Sequence, residues 1–209
     1  MDYREYTDRA TSITEYAIAM SDGVKLKVID FAPKKASKDA PVIVFVAGWI
    51  SLISGWKGVL REITPRFRTI YLETREKRSS VVPGDAIVSF AMDRLRDDIG
   101  EAIAIVVPKG KKFVLAGSSL GASAIIEYCA IASRLPECAV LVGPNAEFRF
   151  PKLLGDIVPA FPPSLYSVVK PVIKWYLRNF RLDKKREQEQ IRKYENTLDE
   201  TDPYKLKAN

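Results

Sequence analysis

The sequence of 209 residues contains no histidine and only two cysteines. Without histidine, the chain lacks the side chain that most often serves as a general base near neutral pH and as a metal ligand. Cys129 and Cys138 do not form a C-x-x-C pair, so we expect buried, reduced thiols and no metal site. No apolar run reaches membrane-spanning length, and the charged first residues lack the apolar region of a signal peptide. We therefore expect a cytoplasmic protein that does not bind membranes.

The net charge of +7 is weak support for nucleic-acid binding. Basic residues gather in residues 75–78 and 181–193, but Asp183, Glu187 and Glu189 interleave with them in the second segment. A nucleic-acid interface needs a clustered basic face. A composition of 47% hydrophobic and 28% charged residues is that of an ordinary globular protein. We expect no nucleic-acid partner.

The first 144 residues predict the order β-β-β-α-β-α-β-α-β. The turn Ser21-Asp22-Gly23 predicts a hairpin between the first two strands, because Asp-Gly favours positive φ. The later apolar runs predict parallel strands that helices cover on both faces. The expected strands are residues 12–19, 24–31, 41–48, 68–73, 113–116 and 138–142, and the expected helices are residues 57–66, 89–107 and 122–133.

The composition changes after Gly143, and no further strand is expected. Residues 145–163 are rich in proline and aromatic side chains, residues 165–180 are apolar with helical spacing, and residues 182–194 predict a polar helix. Prolines, including Pro171, are expected to interrupt the apolar helix, which makes a membrane-surface helix the least favoured interpretation. The aromatic residues of this part either line a pocket or, more commonly, pack against the sheet. They are Phe148, Phe150, Phe161, Tyr166, Trp175 and Tyr176.

The most informative motif is Gly117-Ser118-Ser119-Leu120-Gly121, which follows a buried-strand run and precedes an apolar helix. A G-x-S-x-G pattern between a strand and a helix is typical of a nucleophile elbow, in which a strained turn exposes the serine Oγ. The two glycines leave room for close packing around that turn. A small-residue turn without chemistry is the alternative, since glycine and serine are common.

This motif and the order of elements resemble the α/β-hydrolase fold superfamily, in particular its serine esterases and lipases. The resemblance implies an α/β fold: a mostly parallel sheet with six visible strands, an antiparallel first hairpin and helices on both faces. It divides the chain into a hydrolase core, residues 1–144, and a helical cap-like segment after strand six, residues 145–209. No metal or organic cofactor is implied.

The resemblance also implies roles for individual residues. Ser119 is expected to be the nucleophile, between the elbow glycines Gly117 and Gly121. The backbone N–H groups of Leu120 and Trp49 are expected to form the oxyanion hole. The loop Ala47-Gly48-Trp49 stands where many relatives have His-Gly-aromatic, and the change to alanine leaves the main-chain donors in place.

The catalytic acid and base are not visible in this sequence. In most relatives the acid follows strand seven and the histidine follows strand eight; a minority place the acid after strand six, which points to Asn145 or Glu147. Asn145 is not a carboxylate, and Glu147 has no histidine to orient. A serine–lysine dyad is the alternative that this sequence leaves open. We hypothesise that the chain is the amino-terminal part of a hydrolase. Residues 138–142 would then be an exposed apolar edge that pairs in a homodimer or with a second chain.

The sequence thus predicts a serine hydrolase for carboxylic esters, thioesters or related acyl bonds that is catalytically incomplete as it stands, and acyl transfer by the same serine stays open. The alternatives are a non-catalytic protein that binds a small apolar ligand and a subunit of a split enzyme. The charged residues 73–80 follow the fourth strand, where Arg75 is the best candidate to position a charged substrate. A solvated loop is the more favoured interpretation of this segment.

Overall fold

The structure, a computed structural model, divides the chain into two compact units, Met1–Ala146 and Glu147–Asn209. It describes residues 2–49, 51–84, 88–145, 165–176, 178–179, 191–192, 195–196 and 198–199.

The first unit is built on a six-stranded sheet. Its strands are β1 (Thr11–Ala19), β2 (Lys25–Pro33), β3 (Val42–Val46), β4 (Thr69–Leu72), β5 (Phe113–Ser118) and β6 (Cys138–Val142). Their order across the sheet is β1-β2-β4-β3-β5-β6. β2 pairs antiparallel with β1 and with β4, whereas the pairs β4–β3, β3–β5 and β5–β6 are parallel. The predicted mostly parallel sheet with an antiparallel opening hairpin is confirmed, and Gly23 in its turn has φ 84°.

Helices cover both faces of this sheet. α1 (Lys57–Ile63) lies on one face, with two short 3-10 helices at Tyr3–Tyr6 and Ile53–Trp56. α2 (Met92–Val106) and α3 (Leu120–Ile131) lie on the other face and contact each other. An apolar core lies on each face of the sheet, and β3 contributes to both because side chains alternate along a strand. Phe45 stacks on Tyr71 with 5.5 Å between the ring centroids, whereas Val44 and Val46 pack with the α2 and α3 side chains.

Two expectations about individual residues are wrong. Cys129, in α3, is only half-buried, and Cys138 is exposed. The exposure of Cys138 arises because β6 lies at the edge of the sheet with β5 as its single neighbour among the described strands. Pro171 does not interrupt its helix: α4 (Tyr166–Tyr176) runs through it.

The second unit is described mainly through α4. Its Tyr166 hydroxyl donates to the Leu198 carbonyl at 2.8 Å, and Lys174 forms an ion pair with Asp199 at 2.7 Å. Trp175 is 58% exposed, so it is not packed into a core. Phe148, Phe150, Phe161 and most of the predicted polar helix lie outside the described residues. No helix in the described part of the chain is long and apolar enough to cross a membrane.

Candidate active site

Ser119 lies at a sharp turn between β5, which ends at Ser118, and α3, which begins at Leu120. It has φ 47° and ψ −117°, and among the described residues it is the only non-glycine residue with positive φ. Such a conformation costs of order 1–3 kcal/mol and persists only where the surroundings enforce it. Here the Ser119 N–H donates to the Val142 carbonyl of β6, and the Ser119 carbonyl accepts from the Ser123 N–H, both at 2.9 Å.

The glycines on either side of this serine are required by close packing. A Cβ atom on Gly117 would lie 2.6 Å from Ile125 Cδ1, and one on Gly121 would lie 2.5 Å from the Ala47 carbonyl oxygen. The second distance is the more restrictive, because a backbone atom cannot rotate away. The first turn of α3 therefore lies directly against the carboxyl end of β3, and Ser119 stands at the tip of this junction.

The loop after β3 contacts the elbow from the other side. A Cβ atom on Gly48 would lie 2.7 Å from the Ser118 carbonyl oxygen, so the Gly48 backbone passes within contact distance of β5. The next residue, Trp49, packs its half-buried side chain against the core formed with α2 and α3. Within the described residues, neither the Trp49 N–H nor the Leu120 N–H donates a hydrogen bond. The structure thus places two unengaged donors on the segments flanking Ser119, one of them at the positive end of the α3 dipole.

The charged loop after β4 is buried at residues 74–76 and exposed at Arg78, which corrects the interpretation of the whole segment as a solvated loop. Arg75 is completely buried. Its guanidinium donates to both Asp98 carboxylate oxygens at 2.6 and 2.7 Å and to Asp22 Oδ2 at 2.7 Å. It also donates to the Ser89 carbonyl at 2.8 Å. Because these bonds occupy the guanidinium inside the protein, Arg75 joins the loop to α2 and does not stand at a substrate-binding rim.

Solved structures of several hydrolases are similar to this architecture. A hydrolase from Pseudomonas aeruginosa PA01 matches with a TM-score of 0.67 at 17% identity, covering 93% of this chain and 70% of its own. An epoxide hydrolase from Vigna radiata matches with a TM-score of 0.64 at 19% identity, covering 94% and 71%. A serine hydrolase involved in carbazole degradation matches with a TM-score of 0.57 at 19% identity, covering 94% and 67%.

The chain has the α/β-hydrolase fold. At these identities the likeness extends to the fold, and the chain spans between 67% and 71% of the length of these three proteins. No protein-family model and no curated protein matches the sequence.

In this α/β-hydrolase fold, the loop after β6 is tied to α3 rather than to Ser119. The Ser123 hydroxyl donates to the Asn145 carbonyl at 2.8 Å and accepts from the Asn145 N–H at 3.0 Å. This pair of bonds holds the loop after β6 against the helix that follows the elbow. Glu147, the other residue considered for the acid, lies outside the described residues. No described side chain forms a hydrogen bond with Ser119 Oγ.

Glu76 is a buried carboxylate in the loop after β4. Its Oε1 accepts from the Thr74 hydroxyl at 2.6 Å, while its Oε2 has no hydrogen-bond partner in the described part of the chain. Burial raises the pKa of Glu76 above its ordinary value of 4.5, and the Lys77 ammonium, 3.9 Å from Oε1, only partly opposes that rise. The folded state therefore binds a proton at this site more tightly than the unfolded state does.

We expect Glu76→Gln to become progressively more favourable relative to wild type as pH rises. With its pKa raised on folding, Glu76 lowers the free energy of unfolding as pH increases from about 4.5 through the folded-state pKa. Glutamine does not titrate, so the difference in stability between variant and wild type should move in favour of the variant between pH 4 and pH 7. Urea unfolding across this range measures the difference, and a value that does not change with pH would contradict the prediction.

Lys77 is a residue of this site that the sequence interpretation missed. Its Nζ donates to the carbonyls of Gly48 at 2.6 Å and Ser51 at 2.9 Å, both in the loop after β3. A signal was present, because adjacent parallel strands end at the same edge of a sheet. A lysine shortly after β4 can therefore reach the loop after β3, which lies beside β4.

Proposed function

We propose that the chain carries the nucleophile and oxyanion hole of a serine hydrolase acting on carboxylic esters or thioesters. The observation that carries this proposal is the strained backbone of Ser119, at φ 47° and ψ −117°. Strained residues of this kind cluster at sites where a side chain must be presented to a substrate.

In the proposed reaction, Ser119 Oγ attacks the acyl carbon and a C–O bond forms. The carbonyl oxygen becomes an oxyanion that accepts hydrogen bonds from the Leu120 and Trp49 N–H groups. Collapse of this tetrahedral intermediate breaks the bond to the alkoxide or thiolate leaving group and leaves an acyl-serine. The serine proton passes through a general base to the leaving group. Water then cleaves the acyl-serine, releasing a carboxylic acid and restoring the hydroxyl.

The general base in this scheme is not a histidine of these 209 residues, because they contain none. We propose that it comes from a second polypeptide strand that pairs with β6. β6 is the last strand of the described sheet, and no described residue pairs with its outer edge. Val140 and Val142 are 54% and 50% exposed there, which makes the edge apolar as well as open. A homodimer through the same edge is the other arrangement that would cover it.

The test is to compare wild type with Ser119→Ala in hydrolysis of a small activated ester and in labelling by a fluorophosphonate probe. We expect the probe to attach to Ser119 in the wild type, slowly in the absence of the base because the oxyanion hole still favours attack, and not at all in the variant. Mass spectrometry locates the modified residue. Ser133→Ala is the matched control, since Ser133 is an exposed serine just beyond α3. It should label like wild type.

The outcomes separate the proposed function from its alternatives. Labelling and hydrolysis that both vanish in Ser119→Ala support a serine hydrolase whose base is available to this chain. Labelling without turnover supports a split enzyme, and adding the partner strand should then raise turnover by several powers of ten. A folded wild type that neither labels nor hydrolyses contradicts the proposed hydrolase and favours a protein that binds a small apolar ligand.

A further inference from the structure

Lys77 is almost completely enclosed and is held by both its main chain and its side chain. Its side chain is 10% exposed. The Lys77 N–H donates to the Thr74 carbonyl at 3.0 Å, and the Lys77 carbonyl accepts from the Ser80 N–H at 3.1 Å and the Ser80 hydroxyl at 2.9 Å. These hydrogen bonds hold the turn that carries Lys77, and Arg75, two residues earlier, anchors it to Asp98 of α2.

The ammonium group of Lys77 holds one turn of the loop after β3. Gly48 and Ser51 are the ends of this turn, since the Ser51 N–H donates to the Gly48 carbonyl at 3.1 Å. Lys77 Nζ bonds both of their carbonyls, at 2.6 and 2.9 Å, and the Trp56 indole N–H donates to Ser51 Oγ at 3.1 Å. Hydrogen bonds from a charged donor are about twice as strong as neutral ones, so the Gly48 carbonyl has little freedom to rotate.

Fixing the Gly48 carbonyl also fixes the Trp49 N–H, because the two groups belong to one peptide plane. In a trans peptide they point in opposite directions, and the described chain has no cis peptide bond. The Lys77 ammonium on the carbonyl side therefore sets the direction of the N–H on the other side. Withdrawal of electron density through the carbonyl also polarises that N–H and makes it a better donor.

We infer that Lys77 is a positioning residue for the oxyanion hole and acts on it through the Gly48–Trp49 peptide. This inference rests on the proposed function, since it assigns a role within the same reaction. It makes the loop after β4 part of the catalytic apparatus without contact between Lys77 and the substrate. Removing the ammonium leaves the Trp49 N–H present but free to turn away from the oxyanion.

The experiment compares fluorophosphonate labelling of wild type, Lys77→Met and Lys112→Met. Methionine keeps most of the length of the lysine side chain and removes its charge. We expect Lys77→Met to slow the bond-forming step by about 10- to 100-fold, less than the roughly 100- to 1,000-fold cost of removing an oxyanion-hole donor. The dissociation constant for the initial probe complex should not change. Lys112, whose ion pair with Glu137 is exposed, is the matched control and should label at the wild-type rate.

A second readout does not depend on reactivity. In ¹H–¹⁵N spectra of labelled protein, the Trp49 amide resonance should move in Lys77→Met and stay in place in Lys112→Met. A wild-type rate in Lys77→Met, or an unmoved Trp49 resonance, overturns the inference. Wild type that does not label at all overturns the proposed hydrolase instead. The Trp49 resonance then still reports whether Lys77 holds this peptide.

Discussion

Replacement of Arg75 by methionine is expected to lower the free energy of unfolding by about 3–5 kcal/mol, the range measured when one partner of a buried ion pair is removed. Arg75 is completely buried, and Asp98 is only 3% exposed. Without the guanidinium, the Asp98 carboxylate stays in the interior with fewer partners. Arg94 still donates to Asp98 Oδ1 at 3.0 Å, which places the expected loss nearer the lower limit. Urea unfolding at pH 7 measures the change.

A double variant distinguishes loss of the ion pair from loss of packing. In Arg75→Met with Asp98→Asn, the uncompensated carboxylate is gone, so we expect much of the lost stability to return. Arg96→Met is the matched control, because Arg96 lies in α2 like Asp98 but pairs with its neighbour Asp97 at the surface. The unfolding midpoint of this variant should stay close to that of wild type. A single Arg75→Met variant as stable as wild type would show that the buried network does not hold the loop.

The loss of Arg75 should also lower the reactivity of Ser119. Arg75 anchors the turn that carries Lys77, and Lys77 bonds the Gly48 carbonyl in the loop after β3. A loosened turn would let the Trp49 N–H lose its direction, so Arg75→Met should label more slowly even where it remains folded. We therefore expect stability and reactivity to change together, because both depend on the loop after β4. Asp98→Asn alone tests this expectation from the other partner of the ion pair and should also slow labelling.

The sheet could be predicted from sequence because its signals are local. The turn at Gly23 predicted the hairpin, and continuous apolar runs predicted the strands that helices cover on both faces. Helix ends were less predictable. α3 begins at Leu120, directly after Ser119, although Gly121 is a poor helix former and the expected start was residue 122. Close contact of the first turn with β3 outweighs that local preference.

The loop after β4 could not be predicted, because its partners are distant in sequence. Residues 73–80 contain many charged side chains, which by composition predict a solvated loop. Arg75 is instead buried in an ion pair with the Asp98 carboxylate of α2, which lies 23 residues later in the sequence. The same reasoning applies to Cys138, whose strand resembles a buried one and is exposed only because it lies at the sheet edge. The G-x-S-x-G motif around Ser119 predicted a sharp turn between strand and helix. The contacts that support this turn come from the end of β3 and the loop after it, which are distant in sequence.

Replacement of Gly121 by alanine is expected to lower the free energy of unfolding by about 3 kcal/mol, the upper part of the range for overpacked cores, and to abolish labelling of Ser119. The added Cβ would lie 2.5 Å from the Ala47 carbonyl oxygen and 2.6 Å from that of Val46. Both are backbone atoms at the end of β3, so α3 must move away from the strand. That movement separates the Leu120 N–H from the loop that carries Trp49. Thermal and urea unfolding, with fluorophosphonate labelling, measure both effects.

Gly58→Ala is the matched control, because it makes the same chemical change in an open position. Gly58 lies within α1, and nothing is within 4 Å of a Cβ placed on it. Alanine is favoured over glycine in a helix by about 0.8–1 kcal/mol, so this variant should be more stable than wild type and label normally. Opposite signs for one substitution at two helical glycines would show that contact with β3, rather than helix propensity, requires glycine at 121. A Gly121→Ala variant that is as stable and reactive as wild type would mean that α3 can shift freely, and the elbow would then not depend on the close approach of helix and strand.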